Sequence, residues 1–324
     1  MTSSSRRAAL AALASLALPY AAKAQGSFPN KPIKVVVPFP AGGSTDAVVR
    51  ILGERLTARW GQQIVVDNKP GAGGNIGAAQ FARSDADGYN LLAAPPGPLA
   101  INHNLYKSLN YDPRQFQPVT MIANMPNVLV VGPSVQAKNL RELIAFAKAN
   151  PGKLSYATQG NGSTSHLTAM LFQSMTGARM VHIPYKGSGP ALTDMMAGRV
   201  DLMFDNLTTS LQFHQAKKVT ILATATAERL SQLPDVPTVS EAGLPGFESG
   251  TWVGLVAPQG TPAQLVERIA RDAHEELRQP AIAKQFAALG AEPVGGTPAA
   301  TASFLRAEAA KWKKVIDEAG VTVE

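Results

Sequence analysis

Two segments of the sequence place glycine and hydroxyl-bearing residues where an anion could bind. Each has glycine followed by Ser-Thr, at the predicted start of a helix that follows a predicted strand. The first segment comprises Phe39, Pro40, Ala41, Gly42, Gly43, Ser44, Thr45 and Asp46. The second comprises Asn161, Gly162, Ser163, Thr164 and His166. The first N–H groups of a helix lack backbone partners and lie at the positive end of its dipole. Both segments are therefore predicted to bind a carboxylate.

The same two segments also have a simpler interpretation. Ser, Thr and Asp at helix starts commonly cap the helix, and glycine before a helix commonly forms the turn. One such segment by itself would favour that interpretation. Because the pattern occurs twice, we also consider a shared anion site in which the hydroxyls of both segments donate hydrogen bonds. Those hydroxyls belong to Ser44, Thr45, Ser163 and Thr164.

Two acidic residues stand close to the predicted site. Asp46 falls in the first turn of a predicted helix, where a carboxylate complements the helix dipole. Asp205 follows a predicted strand at residues 200–204 and fits a cap for the next turn. Either residue could instead orient a water molecule or a ligand hydroxyl. Direct contact between a bare carboxylate and an anionic ligand would be repulsive.

The main catalytic alternative is a secreted hydrolase or lyase that uses Ser163 with His166. These residues lie three positions apart on one predicted helix face, but the sequence offers no identifiable acid to orient the histidine. No serine stands in a G-x-S-x-G motif, and the five histidines lack the H-E-x-x-H spacing of a zinc site. We therefore expect a binding protein that is not an enzyme and that has neither a cofactor nor a metal site.

A glycine-rich stretch at residues 71–77 (GAGGNIG) partly matches a dinucleotide-binding loop. The match fails because Ile76 stands where the third glycine is required. No Walker lysine follows the stretch either. We expect a tight strand-to-helix turn with close packing at Gly77, and no bound nucleotide.

The rest of the sequence alternates strand-like and helix-like segments that can position these loops. Residues 33–93 follow the order strand, helix, strand, helix, strand, with helices at 44–60 and 74–83, which predicts a parallel sheet. The same alternation returns between residues 127 and 223, and the region after residue 261 is predicted to be mostly helical. The sequence therefore predicts an α/β fold of two lobes, each a mostly parallel sheet flanked by helices.

The predicted lobe boundaries make the first lobe discontinuous. We assign residues 25–125 plus 246–324 to the first lobe and residues 126–245 to the second. A chain that leaves one lobe and returns to it forms a hinge with a cleft between the lobes. The cleft is the expected place for the ligand.

The N-terminal residues are typical of a secretory signal peptide. Arg6 and Arg7 precede an apolar run, and the small-x-small sequence at residues 22–24 predicts cleavage before Gln25. Residues 1–24 are therefore expected to direct secretion of the protein. The leader lacks a cysteine, and the whole chain contains none, so disulfides and thiolate chemistry are excluded.

Composition limits the partners. The apolar fraction of 45% and charged fraction of 16% are typical of a chain with buried cores. The formal charge of +7 falls to +4 when the three basic residues of the leader are removed. The remaining charges are interspersed, so nucleic-acid binding is poorly supported. We expect a monomer with a small anionic ligand.

Several motifs together resemble those of the receptors of tripartite tricarboxylate transporters, also called the Bug family. They are residues 28–33 (FPNKPI), 38–46 (PFPAGGSTD), 68–77 (NKPGAGGNIG), 184–187 (PYKG) and 197–206 (AGRVDLMFDN). The resemblance covers essentially the whole chain after the leader. It implies a periplasmic two-lobed receptor of the Venus-flytrap type that captures a small organic carboxylate and delivers it to membrane transporter subunits. A sensor in place of the transporter remains an alternative partner.

The resemblance also implies which residues hold the ligand. In this family the loop after the first strand and the loop opening a helix of the second lobe hold a carboxylate through N–H groups, hydroxyls and ordered waters. These loops correspond to the two segments above, and Asp205 is carried over as a side-chain contact. Residues 95–98 (PPGP) depart from the family, in which Ser or Thr is common after the third strand. Their prolines remove N–H donors, which favours apolar or aromatic ligand groups.

Overall fold

The computed structural model describes residues 28–319, and side chains as far as residue 317. The predicted signal peptide at residues 1–24 lies outside the described residues. The strands of the described part are β1 (Ile33–Val37), β2 (Ile64–Asn68), β3 (Asn90–Ala94), β4 (Gln117–Val131), β5 (Ser155–Thr158), β6 (Val181–Pro184), β7 (Leu202–Asn206), β8 (Thr220–Thr224), β9 (Gly250–Ala257) and β10 (Glu292–Gly295).

The same part of the chain contains helices that cover both faces of the strands. They are α1 (Ser44–Trp60), α2 (Asn75–Phe81), α3 (Asn102–Leu105), α4 (Leu140–Ala149), α5 (Thr164–Thr176), α6 (Ser188–Met196), α7 (Leu207–Gln215), α8 (Ala263–Leu277), α9 (Pro280–Ala288) and α10 (Pro298–Ala319). Between residues 28 and 319, no helix has the length and hydrophobicity needed to cross a bilayer.

Each lobe is built on its own part of a mixed sheet. The first lobe has the strand order β2-β1-β3-β9-β4-β10, in which β1 pairs in parallel with β2 and β3. The second has the order β8-β4-β7-β5-β6, in which β5 pairs in parallel with β6 and β7. All pairs that involve β4 or β9 are antiparallel. The two-lobed α/β fold is confirmed, with sheets that are mixed rather than mostly parallel.

Strand β4 connects the lobes directly. Residues 117–126 pair with β9 in the first lobe, and residues 127–131 pair with β7 and β8 in the second. The chain returns to the first lobe immediately before β9. At this point the Ser249 N–H donates to the carbonyl of Ala225. Two adjacent crossings of this kind allow the lobes to rotate about a common hinge.

Both sheets are buried on both faces, because alternate residues of a strand enter different cores. In β1, Ile33, Val35 and Val37 enter one core while Val36 enters another. In β4, Leu129 and Val131 are likewise separated from Val128 and Val130. This burial fixes the strand register, and with it the loops at the ends of the strands.

The sequence reading missed two strands. Neither β9 nor β10 was predicted, and β4 was expected to begin at residue 127 rather than at Gln117. Pro118 and Pro126 lie inside β4, where proline normally argues against a strand. Strand β9 lies between β3 and β4 and is antiparallel to both, so its place depends on distant partners.

Helix α10 contacts both lobes. Trp312 and Ile316 of this helix lie in one buried cluster with Ile101 and Leu105 of the first lobe and Leu167 of α5 in the second. Helix α5 begins within the predicted ligand segment at residues 161–166. Movement between the lobes must therefore be accommodated in this cluster.

Candidate functional site

A cavity of about 110 Å³ lies between the lobes at the N-terminal end of α1. From the first predicted segment it is lined by Phe39, Pro40, Ala41, Gly42, Gly43, Ser44 and Thr45. From the second lobe it is lined by Gln159, Gly187, Ser188, Gly189, Pro190 and Asn206. The beginnings of α1 and α6 therefore border the same space, and the first N–H groups of a helix lack backbone partners and lie at the positive end of its dipole.

Asp46 supports this cavity without lining it. Its Oδ2 accepts hydrogen bonds from the Gly42 N–H (2.9 Å) and from Arg50 Nε (2.8 Å), and its Oδ1 accepts one from Asn68 Nδ2 (3.0 Å). Asn68 also donates to the carbonyl of Phe39 (3.0 Å). Burial disfavours the charged carboxylate, but these hydrogen bonds and the Arg50 charge outweigh burial and lower the pKa of Asp46 below its usual 3.8. The carboxylate therefore shapes the loop.

Asp205 plays a similar part in the second lobe. The residue is fully buried, and its Oδ1 accepts hydrogen bonds from Gln159 Nε2 (2.9 Å) and Ser188 Oγ (2.6 Å). Its Oδ2 accepts from the hydroxyls of Thr209 and Ser210, each at 2.6 Å. Asp205 therefore holds in place two residues, Gln159 and Ser188, that line the cavity.

A second cavity of about 220 Å³ adjoins the first. The two share Phe39, Pro40 and Gln159 as wall residues, so they are direct neighbours between the lobes. The second cavity is also lined by Asn161, which was predicted, and by the exposed Lys186.

The lobes touch each other around this cleft. Asn206 Nδ2 donates to Ser44 Oγ at 2.5 Å, and the Tyr106 hydroxyl donates to the carbonyl of Asn161 at 3.1 Å. Gly73 packs so closely on Asn161 that a Cβ atom at position 73 would overlap its carbonyl oxygen. These contacts join parts of the two predicted segments to the opposite lobe.

The remaining residues of the second predicted segment lie beside the cleft, outside the walls of both cavities. Ser163 Oγ donates to the carbonyl of Gly160 (2.7 Å) and accepts from the His166 N–H (3.3 Å), so it caps α5. His166 Nδ1 accepts from the Gly162 N–H (3.4 Å), and Thr164 is buried. The described residues thus show a helix cap in place of the serine–imidazole hydrogen bond that the hydrolase alternative requires. Direct ligand contact by these residues stays a prediction.

Histidine rings form a buried stack under the same loop. His166 stacks on His182 with ring centroids 4.4 Å apart, and His182 stacks on Tyr156 at 4.9 Å. His182 Nε2 bonds Thr158 Oγ1 at 2.7 Å, and that hydroxyl accepts from the Gly160 N–H. Burial lowers the pKa of both histidines to about 4, so both are neutral at pH 7 and shape the loop.

Sequence reasoning missed several cleft residues. Gln159, Ser188 and Asn206 line the first cavity, and Tyr106 and Lys186 line the second. The signal for Ser188 was present, because it too follows a glycine at the start of a helix after a strand. The others could not be found from local pattern, since their positions depend on how the lobes meet.

Pro95 is the part of the unusual proline stretch that reaches the cavity. It lines the same space as Phe39, Pro40 and Pro190. These apolar surfaces lie beside the hydrogen-bond donors of Ser44 and Asn206. The cavity is therefore suited to a molecule with a carboxylate and an apolar body, and the preference for apolar or aromatic groups stays a prediction.

Larger cavities occur elsewhere but suit an anion less well. One of about 350 Å³ lies beside Trp252 at the crossing strands, and its lining contains Lys311 but also Glu248, Glu292 and Glu308, whose charges repel an anion. Another of about 390 Å³ lies within the second lobe beside Phe146. Within residues 28–319, no group of three or more acidic, histidine or cysteine side chains could hold a metal ion.

Comparisons with known proteins agree with this fold. The sequence model described as "Tripartite tricarboxylate transporter family receptor" matches residues 48–321. Protein BugT of Bordetella pertussis is 39% identical over 315 residues, which cover 97% of this chain and 96% of BugT. These matches extend over both lobes.

Two solved structures are similar along most of their length. Rpa4515 from R. palustris, solved with adipate, has a TM-score of 0.89 and 39% identity, covering 91% of this chain and 99% of that one. MatC from Rhodopseudomonas palustris, solved with bound malate, has a TM-score of 0.85 and 32% identity, covering 89% and 100%. With motifs, fold and inter-lobe cleft in agreement, this chain belongs to the receptor family of tripartite tricarboxylate transporters, the Bug family.

Proposed function

We propose that this protein captures a small organic carboxylate in the cleft and delivers it to the membrane subunits of a tripartite tricarboxylate-type transporter. The observation that carries the proposal is the shared cavity at the beginnings of α1 and α6. Two relatives with the same fold were solved with adipate and with malate. Both molecules are small organic carboxylates.

The ligand carboxylate accepts hydrogen bonds in the first cavity. The donors available, directly or through water, are the first N–H groups of α1 and the hydroxyls of Ser44 and Thr45. A hydrogen bond to a charged group contributes roughly 1.5–3 kcal/mol. Six such bonds give roughly 9–18 kcal/mol, from which the cost of ordering the ligand and the lobes is subtracted. The balance is compatible with micromolar binding, about −8 kcal/mol.

The two-lobed arrangement supports capture by closure. Residues 25–125 and 246–324 form the first lobe in this proposal, and residues 126–245 form the second. A ligand that touches both walls stabilises the closed arrangement in which Ser44 meets Asn206. The closed form then presents both lobes to the transporter at once.

Location and assembly complete the proposal. Residues 1–24 direct secretion to the periplasm and are removed, and the mature protein acts as a monomer. It binds without turning over its ligand, because Ser163 caps a helix and His166 bonds the loop backbone. Asp205 acts through Gln159 and Ser188 rather than by touching the ligand.

Native mass spectrometry of freshly purified protein tests the proposal most directly. We expect a bound species with the mass of a small organic acid, and a rise in melting temperature when that acid is added to stripped protein. If none of the carboxylates tested raised the melting temperature, that result would contradict the proposed function. Release of a chemically altered product would contradict the non-catalytic role.

A further inference from the structure

Residues 160–162 of the second lobe form a loop that meets the first lobe beside the second cavity, and we name it the latch loop. The carbonyl oxygen of its middle residue, Asn161, accepts a hydrogen bond from the Tyr106 hydroxyl at 3.1 Å. A Cβ atom at Gly73 would overlap the same carbonyl oxygen. The backbones of the two lobes therefore approach each other directly at this point, which glycine makes possible.

The end of the latch loop is enclosed just as closely. A Cβ atom at Gly162 would overlap Asn102 Oδ1 and would lie 3.2 Å from Leu105 Cδ2. A Cβ atom at Gly97 would lie 3.2 Å from the carbonyl oxygen of Gly162. The latch loop therefore fits into a recess of the first lobe that the residues around the start of α3 and the turn at Gly73 form together.

Buried hydrogen bonds fix the shape of this recess. Asn102 is fully buried, and its Nδ2 donates to the carbonyl of Gly73 at 3.2 Å and to Asn75 Oδ1 at 2.5 Å. The Tyr111 hydroxyl donates to the same Asn75 oxygen at 2.9 Å. All of these partners belong to the first lobe, so the recess does not depend on the second lobe for its shape.

The latch loop is held in the same way within the second lobe. The Gly160 carbonyl accepts a hydrogen bond from Ser163 Oγ at 2.7 Å, and the Gly162 N–H donates to His166 Nδ1 at 3.4 Å. The Asn161 carbonyl, by contrast, has its donor in the first lobe. Loop and recess are therefore two preformed surfaces that meet when the lobes close.

We infer that Tyr106 is a positioning residue that latches the closed lobes, and that the contact between the latch loop and its recess sets how long the closed form lasts. The inference rests on the proposed function and goes beyond it, because it assigns the control of ligand release to specific residues. It concerns the lifetime of the closed form and leaves the identity of the ligand open.

Two opposing effects make the latch reversible. In the open form the Tyr106 hydroxyl and the Asn161 carbonyl are both hydrated, and the hydrogen bond between them must break before the lobes can separate. Asn102 Oδ1 acts in the opposite direction. It is a buried acceptor without a donor in the described part of the chain, and Gly162 covers it in the closed form. Because removal of water from an unpaired acceptor costs free energy, this atom favours reopening.

Single-molecule Förster transfer between the lobes measures the lifetime of the closed form. The chain contains no cysteine, so Arg83→Cys in the first lobe and Lys148→Cys in the second provide the two label sites, both at exposed positions. Closed dwell times are recorded without ligand and with malate, adipate, hexanoate or 3-phenylpropanoate. We expect Tyr106→Phe to shorten the closed dwell time at least threefold, by the same factor within twofold in every condition in which the lobes close.

Matched variants separate the latch from general loosening. Tyr89→Phe removes the hydroxyl of another half-buried tyrosine of the first lobe, which bonds Asn30 in the same lobe, and should leave the dwell time unchanged. Gly162→Ala places a methyl group against Asn102 Oδ1 and should shorten the dwell time at least threefold. Gly152→Ala should not shorten it, since Gly152 has a similar φ (75° against 77°) but open space around it.

The outcomes are distinct. Unchanged dwell times in Tyr106→Phe would overturn the inference, and so would a factor that differs more than twofold between acids, because it would identify Tyr106 as a ligand contact. Equal shortening in the Tyr89→Phe control would show general loosening and would also overturn it. If wild-type protein binds none of the four acids, the proposed function fails, whereas the dwell times of ligand-free protein still decide the latch. Wild-type lobes that close in no condition would overturn both.

Discussion

Ser44 and Ser163 occupy equivalent positions in the two sequence segments but have different roles. Ser44 lines the first cavity and accepts a hydrogen bond from Asn206 of the other lobe. Ser163 caps α5, and its hydroxyl donates a hydrogen bond to the Gly160 carbonyl. At the scale of single residues, similar sequence therefore produces one residue in the cavity wall and one helix cap, and direct ligand contact by either stays a prediction.

Ser44→Ala should lower the affinity for the carboxylate about tenfold, since it removes a donor to a charged group and the contact with Asn206, about 1.4 kcal/mol. Isothermal titration calorimetry measures the change. Ser163→Ala is the matched control: loss of the cap should reduce the free energy of unfolding by about 1 kcal/mol and change affinity little. A larger affinity loss in Ser163→Ala than in Ser44→Ala would reverse these assignments.

The stacked histidines make stability depend on pH. Burial keeps His166 and His182 neutral, with each pKa near 4 against 6.5 when unfolded. The unfolded chain therefore binds more protons between these values, so the free energy of unfolding should fall as the pH drops from about 6.5 to about 4. Urea denaturation across this range measures the slope, and His182→Gln should make it shallower. An unchanged slope in that variant would mean that other groups control it.

At the scale of elements, the turn before α2 decides how closely the lobes approach. Gly73 lies in a short 3₁₀ turn (Ala72–Gly74) with φ of 62° and packs against Asn161. Close packing at Gly77, which the sequence predicted, is confirmed, because a Cβ atom there would lie 2.7 Å from the Lys69 carbonyl oxygen. The glycine-rich stretch thus packs closely at two places, against Asn161 at Gly73 and against Lys69 at Gly77.

Gly73→Ala should weaken ligand binding at least tenfold, because its methyl group would overlap the Asn161 carbonyl and hold the lobes apart. Gly152→Ala is a suitable control, since Gly152 also has a positive φ (75°) but has open space around it. Both variants carry backbone strain of about 1 kcal/mol. Calorimetric titration together with thermal unfolding separates the two effects. Equal affinity in the two variants would contradict a role for this contact in closure.

Strands β4 and β9 show why the sequence predicted only some of the strands and strand boundaries. Helix α1 was predicted with the bounds that the structure has, since it has clear local signals at its ends. Gly61, with φ of 63°, ends α1 in the left-handed conformation typical of a helix C-terminus. Strand β9 has no comparable end signal, and its pairing with β3 and β4 joins residues far apart in sequence.

At the scale of the whole molecule, α10 packs against both lobes, so it affects both their relative position and the stability of the fold. Trp312 is nearly fully buried, and its indole N–H donates to Glu308 at 3.0 Å. Its cluster includes Leu105 of the first lobe and Leu167 of the second. The C-terminal helix is therefore part of the support that sets how the lobes meet.

Trp312→Ala should lower the free energy of unfolding by about 3–5 kcal/mol, because it leaves a large cavity where the two lobes and α10 meet. Trp312→Phe keeps most of the volume and should cost clearly less. Urea denaturation monitored by far-ultraviolet circular dichroism gives both values. A loss below about 1 kcal/mol for the alanine variant would show that this cluster contributes little to the folded state.

The sequence by itself determined the class of fold, the family and the position of one wall of the cleft. These follow from local signals: hydrophobic periodicity, glycine at helix starts, and motifs such as residues 38–46. Such signals depend on residues close together in the chain, so they survive without knowledge of the tertiary structure. That is why residues 39–45 were correctly placed at the beginning of α1.

The tertiary structure decided which helix beginning shares the first cavity with α1, and which polar groups reach it. It placed α6 there, put Asn161 in the wall of the second cavity with residues 162–166 outside both walls, and enclosed Asp46 and Asp205 behind the walls. The enclosure of Asp46 and of Asp205 depends on hydrogen bonds within their own lobes. The sharing of the first cavity depends on contacts between the lobes, such as that of Ser44 with Asn206, which are 162 positions apart. Local pattern carries no information about such contacts, because they arise only when the two lobes pack together.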